Sequence, residues 1–577
     1  MPSNDSSYDR EAVRRVLEQA AAEGRSSLTA PEGRLVVEAY GIATPGEGLA
    51  GSADEAVALA ERIGLPVVLK IVSPDILHKT EAGGVLVGLR TATDVAAGYD
   101  TILANARAYK ADAKIVGVQV QQQLDSGHEV IVGTVTDPTF GKVVAFGLGG
   151  VLVEVLKDVT FRLAPTDTGT AFSMLDGIAS AEILRGVRGA EPANREVLAD
   201  LIVRLSDLVT DFPELAEVDL NPVLATAAGA TAVDVRILVD PAAAAQPERF
   251  TDEEILASMN RIMRPASVAV IGASAETGKI GNSVMKNLVN GGYQGEIYPI
   301  NPKASEILDR KAFKSISDVP GPVDVAVFAI PAKFVPQALA EVGAKGVAGA
   351  ILIPSGFGET GNHELQAEVV RVAREHGVRI LGPNIYGYYY TPENLSATFC
   401  TPYDVKGGVA LSSQSGGIGM AILGFSRAAR MGVSAIVGVG NKADIDEDDL
   451  LTFFESDPNT QLIAMHLEDL KDGRSFADTA RRVSKTKPVV VLKAGRTDQG
   501  AKAASSHTGA LAGNDKVYDD ILRSNGVIRA PASTTCWSTP GASRCCPPRR
   551  ARTSSSSPAP AGPECCSPTP ASTTSSP

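Results

Sequence analysis

Cysteine is nearly missing from most of this chain. Of six cysteines, only Cys400 precedes residue 531, and Cys536, Cys545, Cys546, Cys565 and Cys566 all follow it. That scarcity excludes a disulfide scaffold and suits a reducing compartment. The cysteine pairs of the tail do not have zinc-ligand spacing. An excess of positive charge is missing too. Lys and Arg number 54 against 67 Asp and Glu, a net charge of -13, which argues against a nucleic-acid footprint. No apolar run reaches the roughly 20 residues of a membrane span. The first ten residues are polar and lack the apolar core of a signal peptide, so a cytoplasmic location is expected. What remains is an ordinary globular mixture, 44% apolar and 21% charged over 577 residues, which predicts several domains.

The first stretch, 1–245, mixes helical and strand patterns. Glu11 to Glu23 reads as a helix, and Ser52 caps another with acids in its first turn. Pro66 to Val72 reads as a buried strand carrying Lys70. A lysine there is costly unless paired, and either a phosphate or a snorkelling path to water would satisfy it. A loop through His78 ends in Gly83-Gly84, where backbone amides can approach phosphate. Glu129 opens a strand, and Asp137 to Gly141 reads as the turn between that strand and the next. The stretch closes on Glu217-Val218-Asp219-Leu220-Asn221-Pro222 and Val233-Asp234. Oxygen ligands on adjacent strands suit Mg2+, although ordinary strand-end acids look the same.

A linker over 240–250 leads to the second stretch, 251–392. The strand Ser267–Ile271 runs into Gly272-Ala273-Ser274 and Gly278, followed by a helix: an anion site at a helix N-terminus, without strict dinucleotide spacing. The next strand ends in Asn301-Pro302-Lys303 rather than in an acid, which favours the phosphates of coenzyme A over the ribose of NAD. Three further strand–helix units end in polar or small residues, the last at Gly382-Pro383-Asn384. Tyr386, Tyr388, Tyr389 and Tyr390 then crowd together, as a core cluster or as the wall of an apolar pocket.

The third stretch, 393–531, places Ser413 and Ser415 with two glycines between a strand and a helix, another phosphate cradle. Leu462 to His466 is a strand followed by Glu468, a helix cap or a carboxylate set to act on a histidine. Ser505-Ser506-His507-Thr508-Gly509-Ala510 surrounds a histidine with small residues that let bulky groups approach it.

Ser-His-Thr-Gly-Ala resembles the phosphohistidine motif of the ADP-forming acyl-CoA synthetases, relatives of succinyl-CoA synthetase, and the resemblance spans residues 25–530. It implies an α/β multidomain enzyme with an ATP-grasp domain (1–245), a Rossmann-like CoA-binding domain (251–392) and a flavodoxin-like ligase domain (393–531). ATP, Mg2+ and coenzyme A are the implied cofactors, a small carboxylic acid the substrate and a homodimer the assembly. The resemblance makes His507 the phosphoryl carrier, with Glu468 beside it and His78 as a second shuttle. The run from His128 to Asp158 resembles the ATP-grasp core, which adds Glu129 to Lys70 at the nucleotide. Asn221 and Asp234 match the metal ligands, with Glu217 and Asp219 as second choices. The run from Gly382 to Tyr390 resembles synthetases of hydroxycinnamic acids such as ferulate, which assigns Tyr386 and Tyr388 to the acid.

Two rivals follow from the same residues: an AMP-forming adenylation route, for which no Ser/Thr/Gly-rich phosphate loop stands in the sequence, and a non-catalytic ATP- and CoA-binding protein. The second arises from the tail, 532–577. It is rich in Ser, Pro, Thr, Cys and Arg, holds the single Trp537, and has no hydrophobic period, so disorder is expected. A shifted reading frame there permits helix-forming and glycine-rich segments that would suit a second ligase domain.

Overall fold

The structure, a computed structural model, describes residues 8–73, 75–76, 79–124, 127–149, 158–187, 189, 191–240, 249–497 and 514–530. Among them lie an ATP-grasp region of two antiparallel sheets and two doubly wound parallel sheets.

Alternation sets the first sheet. In Val67–Val72 every second side chain is buried, which leaves Lys70 on the half-open face. The sheet runs Glu47–Ala50, Gly117–Gln122, Val67–Val72, Val85–Leu89, all antiparallel. Helix Ala53–Ile63 begins at the expected cap, where the Ser52 hydroxyl accepts the Glu55 N–H at 3.2 Å. The second sheet centres on Leu215–Ala225 and His128–Asp137. Its hairpin turns where expected: the Asp137 carboxylate accepts the N–H groups of Thr139 (2.8 Å) and Phe140 (2.9 Å).

The third sheet orders its strands Glu296–Ile300, Ser267–Ile271, Val325–Phe328, Gly349–Leu352, Arg379–Leu381, all parallel. Numbered along the chain this is 2-1-3-4-5. The ligase sheet repeats the order with Lys406–Ser413 as its first strand, between Val433–Gly438 and Leu462–Leu467, then Val489–Lys493 and Ile528–Arg529. Strands covered on both faces read as continuous apolar runs, and these are buried throughout or nearly so. In such sheets ligands bind beyond the strand C-termini where the order reverses, here between strands 1 and 3.

The tyrosine strand Gly387–Tyr390 and its hairpin partner Leu395–Thr398 add antiparallel to the edge of the ligase sheet, so this sheet starts ahead of residue 393. Gly387 is required at the hairpin: its φ is +97° and a Cβ would sit 2.8 Å from the Cα of Thr398. One apolar cluster runs through the CoA-side and ligase sheets, with Ile262, Val270, Tyr388, Val437 and Phe453 in common. The ATP-grasp hairpin docks onto the ligase domain through Phe140, whose ring meets Tyr518 edge-on at 4.8 Å. The Gly473 N–H donates to the Thr139 carbonyl beside it.

Candidate active site

Lys70 lies in a small cavity of about 30 Å³ between the two antiparallel sheets, with Arg34, Glu47, Lys79, Gln119 and Asp234 among its walls. Burial lowers its pKa, Asp234 works against that shift, and Lys79 adds to it. A cation held in a dry cleft beside a second lysine is a seat for phosphate oxygens. Asn221 lies within strand Leu215–Ala225 and Asp234 just ahead of the paired strand Val235–Val239: the Asn221 N–H donates to the Asp234 carbonyl at 3.3 Å, and both residues are exposed. The carboxyl of neighbouring Asp219 is pushed up by burial and by Glu217, while Glu217 stands 3.9 Å from Arg236. Among the described residues no group of three or more His, Cys, Asp or Glu could hold a metal alone. One carboxylate and one amide oxygen fit Mg2+, which completes its shell with water and phosphate. Glu129 is exposed and its carbonyl accepts the Gly149 N–H at 2.7 Å, but it does not line the Lys70 cavity. His78 lies outside the described residues.

On the CoA side, Gly272 ends strand 1 at the reversal point with φ +88°, where a Cβ would come 2.6 Å from the Ala329 carbonyl of strand 3. Ser274 accepts the Glu276 N–H at 3.0 Å, and Gly278, with φ +93°, lies ahead of helix Ile280–Asn290 with no described neighbour within 4 Å of its would-be Cβ. Lys303 is exposed. Asn301 stands at the turn after strand 2, part-exposed. Its amide donates to the Ala273 carbonyl (2.8 Å), and its oxygen accepts the N–H groups of Lys303 (2.8 Å) and Ala304 (3.1 Å). These bonds build the turn that carries Lys303. Asn384, at φ +62°, points its amide to Asn441 Oδ1 at 3.4 Å and so joins the CoA-side sheet to a ligase loop.

In the ligase domain the reversal point falls between the end of Lys406–Ser413 and the end of Leu462–Leu467, which brings Ser413, Ser415 and Glu468 to one edge. Ser415 caps helix Gly416–Ala428 by accepting the Ile418 N–H. Among the described residues a Cβ at Gly416 or Gly417 would touch nothing within 4 Å, so their packing does not demand these glycines and leaves the helix start open to an anion. The Ser413 hydroxyl donates to the Ser415 carbonyl at 2.8 Å and lies 3.4 Å from His466 Nδ1. Burial, reinforced by Lys493, pushes the His466 imidazole down to about 4. Beside it a hole of about 20 Å³, lined also by Tyr386, Ser412 and Leu492, has room for one water. Among the described residues the buried Ser412 hydroxyl has no hydrogen-bond partner.

Tyr386 walls that hole and packs over the helix start, where a Cβ on Gly419 would strike its ring at 2.5 Å. Tyr388 is a correction. It is 0% exposed and donates its hydroxyl to the Ile262 carbonyl at 2.6 Å, which makes it interdomain core and not the wall of an acid pocket. Its neighbours follow suit: Tyr390 donates to Asp457 (2.9 Å) and Tyr389 to the Thr401 carbonyl (2.8 Å).

His507 lies outside the described residues, between the strand ending at Lys493 and the helix Asp515–Ser524. Three residues at the same edge escaped the sequence reading. The Gln414 oxygen accepts the N–H of Glu468 at 2.7 Å, Lys493 Nζ donates to the Glu468 carbonyl at 2.8 Å, and the buried Lys442 pairs with Asp469 (3.1 Å) and Glu447 (3.2 Å). A lysine in a buried strand is the signal that marked Lys70, and Lys493 carries it as well.

Three domain families match the chain: an ATP-grasp domain over 19–239, a CoA binding domain over 266–391 and a succinyl-CoA ligase like flavodoxin domain over 406–538. Acetate–CoA ligase (ADP-forming) II of Archaeoglobus fulgidus is 38% identical over 504 residues, which cover 86% of this chain and 72% of that protein. The α subunit of acetate–CoA ligase (ADP-forming) I of Pyrococcus furiosus is 52% identical over 279 residues, 47% of this chain and 60% of the subunit. A structure of the acetyl-coenzyme A synthetase 1 of Ca. Korarchaeum cryptofilum in complex with phosphate and ADP aligns at 46% identity and a TM-score of 0.47, covering 48% of this chain and 60% of that one. The chain belongs to the family of ADP-forming acetate–CoA ligases.

Proposed function

We propose that this protein is an ADP-forming acyl-CoA synthetase that joins a small carboxylic acid to coenzyme A through a phosphorylated His507. The observation that carries this reading is a 38% identity sustained over 504 residues with an acetate–CoA ligase, across all three domain types. Lys70 holds the ATP phosphates. Asn221 and Asp234 would hold Mg2+, which would neutralise phosphate charge during transfer. An imidazole nitrogen of His507 attacks the γ-phosphorus, the bond to the ADP oxygen breaks, and ADP leaves. Glu468 orients the ring and takes up its proton. A carboxylate oxygen of the acid then attacks phosphorus, the N–P bond breaks, and an acyl phosphate forms. The CoA thiolate attacks the acyl carbon and inorganic phosphate departs, which balances the reaction as acid, ATP and CoA giving acyl-CoA, ADP and phosphate. Ser413, Ser415 and the open helix start receive the phosphoryl group on the ligase side, and His78 serves as the second carrier near the nucleotide.

The acid is small. The relatives named for their substrates act on acetate and, at 39% identity over 274 residues, 4-hydroxybutyrate. The case for a hydroxycinnamate rested on the tyrosine cluster, and Tyr388 is committed to the core. The test is a product assay with acetate and ferulate in parallel. Continuous ADP formation beyond one equivalent per protein, dependent on acetate and CoA, supports the reading. AMP as product, or turnover of ferulate alone, overturns it.

A further inference from the structure

The peptide of Glu468 is gripped from both sides by side chains of other strands. Gln414, the residue between the two cradle serines, reaches across the reversal point. Its oxygen accepts the N–H groups of Glu468 (2.7 Å) and Asp469 (3.1 Å), and its amide donates to the Asp469 carboxylate. Its own N–H donates to the His466 carbonyl at 3.2 Å, which closes the stitch between strands 1 and 3. From the opposite side Lys493, at the end of strand 4, donates to the Glu468 carbonyl (2.8 Å) and the Ala494 carbonyl (2.6 Å). Behind Asp469 stands Lys442, which is 1% exposed and donates to the Asp469 carbonyl at 2.9 Å besides pairing with its carboxylate. Gln414 and Lys493 are themselves buried.

We infer that Gln414 and Lys493 are positioning residues that fix the Glu468 peptide, and through it the direction of the Glu468 carboxylate toward the phosphohistidine segment. This rests on the roles given above to Glu468 and His507. Physically, the amide on one side of the Glu468 Cα and the carbonyl on the other are both tied to buried side chains. The backbone dihedrals at that residue therefore cannot drift without breaking a buried hydrogen bond. A carboxylate that must orient a histidine ring gains from a root held this way. The clamp also reaches the nucleotide side. Lys493 Nζ lies 4.7 Å from the centre of the Tyr518 ring, the same ring that meets Phe140 of the ATP-grasp hairpin.

The test is a double-mutant cycle in the full chain, following kcat and the KM for ATP with Gln414→Met, Lys493→Met, Glu468→Gln and each methionine variant combined with Glu468→Gln. Each methionine variant is expected to lower kcat about 10- to 100-fold with the KM for ATP nearly unchanged. In the Glu468→Gln background neither should lower it further, because both act through that carboxylate. Methionine variants that lose thermal stability but keep kcat, or whose effects multiply with Glu468→Gln, overturn the clamp and leave Glu468 in its role. A Glu468→Gln protein with full kcat removes the role itself and the clamp with it. If Gln414→Met does not fold, Lys493→Met carries the same comparison.

Discussion

Arg379, at the last strand of the CoA-side sheet, reaches both carboxylate oxygens of Asp449 at 3.0 Å, and its Nε lies 2.9 Å from Asp444. All three charges join the two doubly wound domains, and Arg379 and Asp449 are buried. Replacing the arginine by methionine strands two acids in the interface. Arg379→Met is predicted to destabilise the protein by about 3–5 kcal/mol in denaturant titration, because a buried charge without its partner keeps its desolvation penalty. Arg379→Met combined with Asp449→Leu should recover part of that loss.

Lys70 and Asp234 share one cavity, so they are predicted to fail together. Lys70→Met should weaken ATP binding by at least about tenfold in calorimetry, the scale of one lost charge-assisted contact of about 1.5–3 kcal/mol. Asp234→Asn should weaken it mainly in the presence of Mg2+. Neither change should alter CoA binding, whose proposed site is on another sheet.

Tyr388→Phe separates core from pocket. Loss of the hydroxyl leaves the buried Ile262 carbonyl without its donor, at a cost of about 1–3 kcal/mol. Thermal stability should fall while the preference among acids stays as it was. A changed preference would return Tyr388 to the substrate.

His466 makes a pH prediction. Its folded-state pKa of about 4 lies below the 6.5 of the free group, chiefly because of burial. Between those values the unfolded chain binds more protons than the native one, so stability falls as pH drops from 6.5 towards 4, by about 2–4 kcal/mol in total for this group. Denaturant titrations at pH 7 and pH 5 should therefore differ less for His466→Gln than for the parent chain.

Most of the architecture was legible because its signals are local. Apolar runs ending in glycine or serine marked the strands of both parallel sheets, and Ser52 announced the helix it caps. Lys70 stood out as a charge inside a strand, and the structure pairs it in one cavity with Asp234. What was missed depends on partners far along the chain. Gln414 reads as filler between two serines until Glu468, 54 residues on, arrives beside it. Tyr388 reads equally well as pocket or core until Ile262 closes over its hydroxyl. The turn-building bonds of Asn301 to Ala273 and Lys303 likewise leave no pattern in composition.

The central claim is the phosphoryl relay, and mass spectrometry tests it directly. The protein is incubated with ATP and Mg2+, without acid or CoA, and measured intact and as peptides. The account predicts an acid-labile phosphoryl adduct on His507 that disappears in His507→Asn and is discharged when acetate and CoA are added. A folded, ATP-binding protein that forms no adduct, or one whose adduct survives His507→Asn on another residue, would contradict it.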